Sequence, residues 1–506
     1  MARKWWTLIV VCAATFMLLL DITVVNVALP SIRDDLGASF TDLQWVVDAY
    51  ALTLAAFVLT SGSLADRLGR RRVFVVGLVI FTIASALCAV SGTPLMLNLC
   101  RALQGVGGAI MFAISLALLG QEFRGEERAK ATAIYGATIG VAIAAGPLVG
   151  GALTDSLGWE WIFLINVPIG IVSILATVTQ VGESRDPHAR GIDWVGLVTF
   201  SLANALLVYA LIRGNPDGWG SPQVLGPLIA AAVLFVAFVV TEVRVEQPML
   251  PLEFFRNRSF TGAQIGAVAV SASMFALFLY ITLFVQNLLG YTPFEAGLIY
   301  LPSTMVTFVF SGLTAALMPR FPLRVLLGGG LMILAIGLLL IGGREQGDTW
   351  TELLPGFIAT GIGVGMINPV VANLALSTVP DEHGGVAAGI NDAFRQVALA
   401  TGVAALGALL LARATDVVQG LLPGTSAEEA RLLAEGVSSG ALPRGVPAAV
   451  VDAARQGFVD GLNDILLVGA AIAVVGAVLS VWLVRGSDVR GETLDVEAEP
   501  VAPAAV

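Results

Sequence analysis

Charged residues are scarce in this chain of 506 residues. Asp, Glu, Lys and Arg make up 13% of the sequence and apolar residues 57%, whereas a soluble domain is about 25% charged and about 45–50% apolar. A soluble protein of this length would form roughly three domains, each with a charged surface. Because so few charges cannot cover those surfaces, and because the mean hydropathy is +0.87, we expect most of the chain to face lipid.

Basic residues, cysteine and histidine are also few, and each shortage argues against a class of function. A net charge of −10 disfavours nucleic-acid binding, which rewards a basic patch. The two lysines, Lys4 and Lys130, close no glycine-rich phosphate loop. The cysteines have no disulfide spacing and the histidines form no metal-ligand cluster. These residues are Cys12, Cys88, Cys100, His188 and His383. With no catalytic triad or metal motif, we expect neither an enzyme nor a cofactor.

Long apolar segments recur along the whole chain. A membrane-spanning helix needs about 20 residues, and runs of this length without strict alternation predict helices instead of barrel strands. The sequence therefore predicts an all-α membrane protein with 14 transmembrane helices. The predicted spans are 5–28, 43–65, 73–91, 95–119, 131–154, 161–181, 194–213, 224–242, 261–288, 295–317, 324–342, 353–377, 386–412 and 462–484.

The basic residues of the predicted loops are unevenly distributed. The loops on the side of the N-terminus, together with both termini, hold 18 of the 27 basic residues, and the opposite loops hold 7. Arg101 and Arg395 lie within spans. Because cytoplasmic loops are enriched in Lys and Arg, we expect a protein of the plasma membrane with both termini in the cytoplasm.

Two loops with related sequences lie half a chain apart. Arg67 belongs to the first loop, and Arg320 to a weaker copy that lacks the aspartate and glycine; the 253-residue offset suggests two parallel halves. We predict a six-helix half at 1–181, two inserted helices with linkers at 182–258, a six-helix half at 259–485 and a cytoplasmic tail at 486–506. Within the second half, the external loop 413–461 is predicted to form a helical hairpin of Ala427–Glu435 and Ala448–Phe458. The acidic tail is predicted to be disordered.

The loop between the second and third spans has a distinctive spacing. It reads Gly62-Ser-Leu-Ala-Asp66-Arg67-Leu-Gly69-Arg70-Arg71-Arg72. We expect Gly62 to allow close helix packing, Asp66 to pair with a nearby arginine and Gly69 to permit a tight reversal. A generic basic loop is the plainer alternative, but the spacing resembles the signature loop of the major facilitator superfamily. That resemblance implies a loop that latches helices and gates the outward-facing state.

Further motifs narrow the resemblance to one branch of that superfamily. They are Leu20–Pro30 in the first span, Arg101–Ala109 in the fourth, Gly146-Pro147-Leu-Val-Gly150-Gly151 in the fifth and Trp159–Gly170. In this order they resemble the fourteen-span drug:proton antiporters of the EmrB/QacA type. The resemblance implies a major facilitator fold with two inserted helices and an antiporter motif at Gly146–Gly151. One departure is Ala142, where the family has glycine.

Charged residues within the spans are the candidates for coupling, because a charge at membrane depth costs at least about 2.5–3.5 kcal/mol. Burial favours the protonated form of Asp21, so we expect it to load and release protons; a helix-packing hydrogen bond or ion pair is the alternative. Arg101 cannot deprotonate, and the resemblance implies that it modulates nearby acids. Asp392 and Arg395 share a helical face and can pair, and either a structural pair or a second protonation or cation site is open. Asp48 lies near the outer mouth, where a solvated rim acid is the expectation and a coupling site the alternative.

Together with the resemblance, these residues predict a proton-coupled secondary transporter that exports lipophilic, typically cationic, drugs or toxic compounds and acts as a monomer in the bilayer. A dedicated exporter of one metabolite or antibiotic is the nearest alternative. Uptake by symport is disfavoured by the glycine-proline motif, and a receptor or scaffold that does not transport is the alternative from another class.

Overall fold

The computed structural model describes residues 3–123, 125–185, 193–245, 248–379, 384–440 and 447–485. All regular structure in these ranges is helical. Thirteen helices are long and apolar enough to cross a membrane, and a bent pair within 134–157 makes a fourteenth. His188, His383 and the tail 486–506 lie outside the described residues.

The helices follow the predicted spans and extend beyond most of them. In the predicted first half, 1–181, they are α1 (Arg3–Leu36), α2 (Phe40–Leu68), α3 (Arg70–Ala89), α4 (Pro94–Glu122), α5 (Gly125–Leu157), α6 (Trp161–Leu164) and α7 (Asn166–Gln180). The predicted inserted pair is α8 (Trp194–Asp217) and α9 (Pro222–Arg244). The second half contains α10 (Arg258–Val270), α11 (Ala276–Leu283), α12 (Pro293–Leu317), α13 (Leu323–Ile341), α14 (Leu354–Ser377), α15 (Gly384–Leu421), α16 (Ala427–Ser439) and α17 (Ala448–Leu483). We call the face at which α1 begins the N-terminal face and the other the opposite face.

The fifth span is bent by 44° between its segments Ile134–Ile143 and Ala145–Leu157. Pro147 lies just after this break. A proline inside a helix lacks the amide hydrogen and clashes with the carbonyl group four residues earlier, which here is that of Ile143. The proline of the antiporter motif therefore accounts for the position of the bend.

The segment 413–461 differs from the predicted separate hairpin. Ala427–Ser439 forms the expected helix α16, but Ala448–Phe458 is the first part of α17, which continues to Leu483. Likewise α15 runs on to Leu421. Polar residues on one side of these extensions made them resemble loop sequence, although helices of a membrane protein can continue past the apolar layer.

The ninth span contains two short π-helical segments that the sequence analysis did not predict. They are Ser271–Phe275, which precedes α11, and Phe284–Leu288, which follows it. π-helical turns are rare in proteins, and those that occur often lie at functional sites. In the second of them, Gln286 donates from Nε2 to the carbonyl oxygen of Val27 at 2.7 Å, which joins the two halves.

The halves are held together toward the opposite face. Three hydrogen bonds between described residues cross from 1–181 to 259–485, and all lie on this side. They run from Gln286 to Val27, from Gln44 to Tyr280 and from Gln44 to the Val403 carbonyl group. The inserted helices cover the same seam, since Val208 and Ile212 of α8 pack with residues of both α2 and α15. The opposite face is therefore closed in this structure.

Candidate functional site

Asp21 lies near the middle of α1 in a sealed cluster of polar side chains. Its Oδ2 accepts from Arg101 Nη1 at 2.5 Å, and its Oδ1 accepts from Gln104 Nε2 at 2.7 Å and from Asn166 Nδ2 at 3.0 Å. Ser85 completes the cluster by accepting from Gln104 at 2.7 Å. The exposed fraction is 0% for Asp21 and 2% for Arg101. An ionised carboxylate only accepts hydrogen bonds, so the three donors match the charged form of Asp21. We call these five residues the Asp21 cluster.

Arg101 is fixed by groups other than Asp21. Its Nε donates to the Val46 carbonyl oxygen at 3.1 Å, and its Nη1 also donates to Gln104 Oε1 at 2.7 Å. The guanidinium carbon lies 4.2 Å from the ring centroid of Tyr50, a cation–π contact. Removing one partner of a buried ion pair costs about 3–5 kcal/mol, because the other charge is left uncompensated. Asp21 therefore forms an ion pair with Arg101, which is the alternative to proton loading that the sequence left open.

Asp392 and Arg395 do not form the pair that their spacing allowed. Arg395 donates from Nε to Asn391 Oδ1 at 3.1 Å and from Nη2 to Asn368 Oδ1 at 3.0 Å. Asn391 in turn donates to Gln264 Oε1 at 3.1 Å. Neither a hydrogen bond nor an ion pair joins the half-buried Asp392 to any described residue. Arg395 is therefore held by one amide of α14 and one of α15 itself.

Asp48 is buried, which contradicts the expected solvated position at the rim. Its exposed fraction is 0%, and neither carboxylate oxygen has a hydrogen-bond partner among the described residues. The next turn of α2 toward the opposite face carries Gln44, which bonds to Tyr280 and Val403 across the seam. The sequence places Asp48 near the end of a span, but only the packing of α2 against the second half buries it.

The signature loop forms a charged layer on the N-terminal face. Asp66 accepts from Arg70 Nε at 2.8 Å, as expected, and Gly69 makes the reversal with φ of +110°. Glu183, which the sequence analysis missed, accepts from the Arg71 amide at 3.1 Å. It also lies 3.8 Å from Arg71 Nε and 3.6 Å from Arg72 Nε.

Two other residues of this loop lie in open surroundings. Arg67 is exposed. A Cβ atom added to Gly62 would meet nothing within 4 Å, so the expectation that this glycine permits close helix packing is wrong. The close approach occurs instead at Gly69, where an added Cβ would lie 2.7 Å from a carboxylate oxygen of Glu183.

The glycines of the antiporter motif pack α5 against both halves. An added Cβ on Gly146 would overlap Thr23 of α1, and one on Gly150 would lie 2.9 Å from Val24 Cα. Gly151 faces the other half, where an added Cβ would overlap the carbonyl oxygen of Pro293.

The contact between α5 and α12 is reciprocal. A Cβ added to Gly297 of α12 would lie 2.5 Å from the carbonyl oxygen of Pro147. Small residues that let helix backbones meet are typical of packing in membranes. The motif is thus the place where the two halves touch along α5 and α12.

Several residues of these sites were not among the predicted site residues. Gln104 and Asn166 lie within the family motifs, but they are 83 and 145 positions from Asp21 in the sequence, and only the fold brings them to it. Ser85, Glu183 and Gln44 lie outside every motif. The signal available in the sequence was a polar side chain inside an apolar run, which alone does not identify its partner.

The helical fold, the signature loop and the antiporter motif define a membrane transporter, and the chain belongs to the Major Facilitator Superfamily, whose sequence pattern it matches over residues 11–403. It is 35% identical to the puromycin resistance protein of Streptomyces alboniger, over 99% of this chain and 95% of that protein. It is 34% identical to the multidrug resistance protein Stp of Mycobacterium tuberculosis strain CDC 1551 / Oshkosh, over 96% of this chain and 94% of the relative. These relatives confirm the predicted family of drug exporters.

Solved structures agree on the fold. A bacterial homologue of the human lysosomal transporter Spinster, described as inward-facing and unoccupied, superimposes with a TM-score of 0.62 over 97% of this chain and 99% of that chain, at 18% identity. The predicted major facilitator fold is confirmed. The chain is a multi-pass membrane transporter of the drug-efflux type.

Proposed function

We propose that this protein exports lipophilic, typically cationic, compounds in exchange for protons. The observation that supports this most is the Asp21 cluster, because it holds a membrane-buried carboxylate against an arginine that cannot lose its proton. A proton delivered to Asp21 would remove the charge that holds Arg101. The names of the relatives, puromycin resistance and multidrug resistance, support drugs as the class of substrate.

Protonation at Asp21 would rearrange the cluster in a defined way. A neutral carboxyl group has one donor hydrogen in place of an acceptor site, so it no longer matches three donors. Arg101 would keep its bonds to Val46 and Gln104, and its ion pair with Asp21 would be lost. Because Asp21 on α1 bonds to α4 and to Asn166 of α7, this change would alter how α1 packs within the first half.

Asp392 is the second carboxyl group that we propose to bind a proton. It is half-buried, and Arg395 leaves it unpaired by bonding to Asn368 and Asn391. An unpaired acid on the seam of the second half can attract a cationic substrate when ionised and release it when protonated. Asp21 and Asp392 would then respond to protons in different halves of the molecule.

The driving force follows from the charge moved. One proton entering for one monovalent cation leaving moves no net charge, so a pH difference of one unit supplies about 1.4 kcal/mol, or tenfold accumulation. If both acids titrate, two protons enter for each cation, and the membrane potential also contributes.

We propose that the N-terminal face lies in the cytoplasm and that the protein acts as a monomer. The excess of basic residues on that face supports the orientation. The signature loop, with Asp66, Arg67, Gly69, Arg70 and Arg71, would gate the cytoplasmic side, and the glycines of the antiporter motif would keep the halves in contact at the external side.

Everted membrane vesicles test the coupling. We expect an acid-inside gradient to drive uptake of a lipophilic cationic dye such as ethidium, and Asp21→Asn to abolish the gradient-driven part, because an amide cannot exchange a proton. Asp155→Asn is the matched control, since Asp155 is exposed. Full gradient-driven uptake by Asp21→Asn would show that Asp21 is not a coupling site.

The second candidate is a dedicated exporter of one antibiotic, which the name of the puromycin resistance relative favours. Growth of a susceptible host that expresses this chain, measured across cationic and neutral toxic compounds including puromycin, separates the two. Resistance to several unrelated cations supports multidrug export, whereas resistance to one compound supports the dedicated exporter.

A further inference from the structure

Asp48 is a buried acid whose surroundings the proposed coupling scheme does not explain. It lies on α2, one turn after Gln44, in the seam between the halves. Gln44 Nε2 donates to the Tyr280 hydroxyl oxygen at 3.0 Å and to the Val403 carbonyl oxygen at 3.3 Å. The Tyr280 hydroxyl group donates to the same carbonyl oxygen. One turn further along α2, Ala51 packs among apolar residues of α8 and α15.

The carboxyl group of Asp48 receives no donor in this seam. Both oxygens are buried without a hydrogen-bond partner among the described residues. Gln44 donates to Tyr280 and Val403, and the Tyr280 hydroxyl group donates to Val403. Tyr280 of α11 is a titratable side chain close enough to Asp48 to interact with it electrostatically.

The basic residues on α2 and on the helices around it form no ion pair with Asp48 among the described residues. Their ion pairs are Lys4–Glu127 and Arg33–Asp34 from α1, Arg70–Asp66 and Arg72–Glu183 from α3, Arg101–Asp21 from α4, Arg213–Asp217 on α8, Arg413–Asp464 from α15 and Arg431–Glu435 on α16. Arg3 of α1 bonds to the carbonyl oxygens of Gln180 and Val181, and Arg67 of α2 is exposed. Arg71 lies beside Glu183, and Arg395 of α15 bonds to Asn368 and Asn391. The remaining charged groups of α15, Asp392 and Asp416, are acids. No described cation therefore compensates Asp48.

An ionised carboxylate without donor or counter-ion is strongly disfavoured away from water. The closed seam accommodates the neutral acid. A protonated carboxyl group has about the size of the asparagine amide, and its desolvation penalty is smaller than that of the ionised carboxylate. When the halves separate at the opposite face, water reaches Asp48 and the ionised form is no longer penalised. The two arrangements of the seam therefore differ in the protons they bind.

We propose that Asp48 is a proton-binding site that couples protonation to closure of the opposite face. The proton bound by the carboxylate comes from water on that face, and it is returned there when the face reopens. Since the closed state holds one more proton than the open state, a lower pH favours closure. In the pH range where the exposed acid is ionised, the closed-to-open ratio falls by up to about tenfold for each pH unit of increase.

This inference rests on the proposed antiport, in which an acidic exterior loads protons before the external side closes. It adds a third acid, distinct from Asp21 and Asp392, that acts on the seam and not on the substrate. Its failure can be separated from failure of the antiport, because closure can be measured without a drug or a gradient.

The test measures the separation of the halves at the opposite face by double electron–electron resonance. Spin labels are attached at Gly92→Cys, between α3 and α4, and at Glu345→Cys, after α13; both positions are exposed. Cys12, Cys88 and Cys100 are replaced by alanine. The reconstituted full chain is measured without drug from pH 5 to pH 9, and the populations of short and long distances give the closed-to-open ratio.

We expect the parent to open as the pH rises and Asp48→Asn to remain closed at every pH. Asp155→Asn, at an exposed acid, should keep the response of the parent. Asp48→Leu, which has the same branching at Cγ but is apolar and larger, provides a second neutral variant if the amide does not fold, and it should also remain closed.

Two results would overturn the proposal. One is a parent whose distance distribution does not change with pH. The other is a folded Asp48→Asn or Asp48→Leu variant that opens with the same pH dependence as the parent. If the variants lose the pH response while dye transport in the parent proves independent of protons, Asp48 stands as the closure site and the antiport is wrong.

Discussion

Gly151 allows α5 and α12 to approach closely because it has no side chain. It lies on α5 where this helix meets α12, and a Cβ atom there would overlap the backbone carbonyl oxygen of Pro293. Backbone atoms cannot move aside as a flexible side chain does. Gly136 lies on the same helix with nothing within 4 Å of an added Cβ, so the two glycines have different roles despite a common sequence context.

We predict that Gly151→Ala lowers thermal stability and transport. Overpacking of a tight contact costs about 1–3 kcal/mol, and here the strain falls on the contact between the halves. Gly136→Ala should be neutral or slightly stabilising, because alanine favours the helix. Melting of both variants in detergent, followed by tryptophan fluorescence, checks the prediction; equal melting temperatures would contradict it.

The turn between α2 and α3 brings together charged groups from separate spans on the N-terminal face. Gly69 ends one helix and begins the next with a positive φ, and this reversal presents the Arg71 amide and the guanidinium groups of Arg71 and Arg72 to Glu183. The chain after α7 is bound to this turn by the Arg70 amide, which donates to the Ser184 carbonyl oxygen at 2.9 Å. The turn thus ties the second, third and sixth spans together on the N-terminal face.

We predict that Gly69→Ala disrupts this layer and that Gly62→Ala does not. Alanine at position 69 would be held at a φ that costs about 1–3 kcal/mol for a residue with a side chain, and its Cβ would displace Glu183. Alanine at position 62 enters open space on a helix. Initial rates of dye efflux in vesicles provide the measurement. A transport defect in Gly62→Ala equal to that of Gly69→Ala would refute the distinction.

At the scale of the whole molecule, closure of the opposite face depends on few polar contacts. The Gln286 side chain reaches from a π-helical segment of the second half to the backbone of α1. The other two hydrogen bonds between the halves come from Gln44. Because each hydrogen bond contributes about 0.5–1.5 kcal/mol net, removing one should shift the equilibrium between closed and open states without unfolding the protein.

We predict that Gln286→Met raises the open-to-closed ratio several-fold, since about 1 kcal/mol corresponds to a factor of about five. Gln346→Met is the control, because Gln346 bonds to Asp452 within the second half. Distances between labels at positions 92 and 345, at constant pH, report the ratio. An unchanged ratio in Gln286→Met would mean that this contact does not stabilise closure.

The sequence by itself determined the membrane environment, the number of spans and the family. These follow from runs of apolar residues and from motifs of adjacent residues, such as Gly62–Arg72 and Gly146–Gly151, whose meaning is local. It also identified Asp21, Arg101, Asp392 and Arg395 as unusual, because any charge in an apolar run is costly.

Only the tertiary structure decided which of these charges meet. Asp21 pairs with Arg101 from a distant helix, whereas Arg395 bonds to Asn391 and Asn368 and makes no hydrogen bond to Asp392. The sequence suggested that Asp392 and Arg395 can pair, because it shows their spacing along one helix and nothing of the neighbouring helices. Burial of Asp48 depends likewise on the seam between the halves. Pairing and burial are properties of packed helices, and residues far apart in the chain acquire them only when those helices come together.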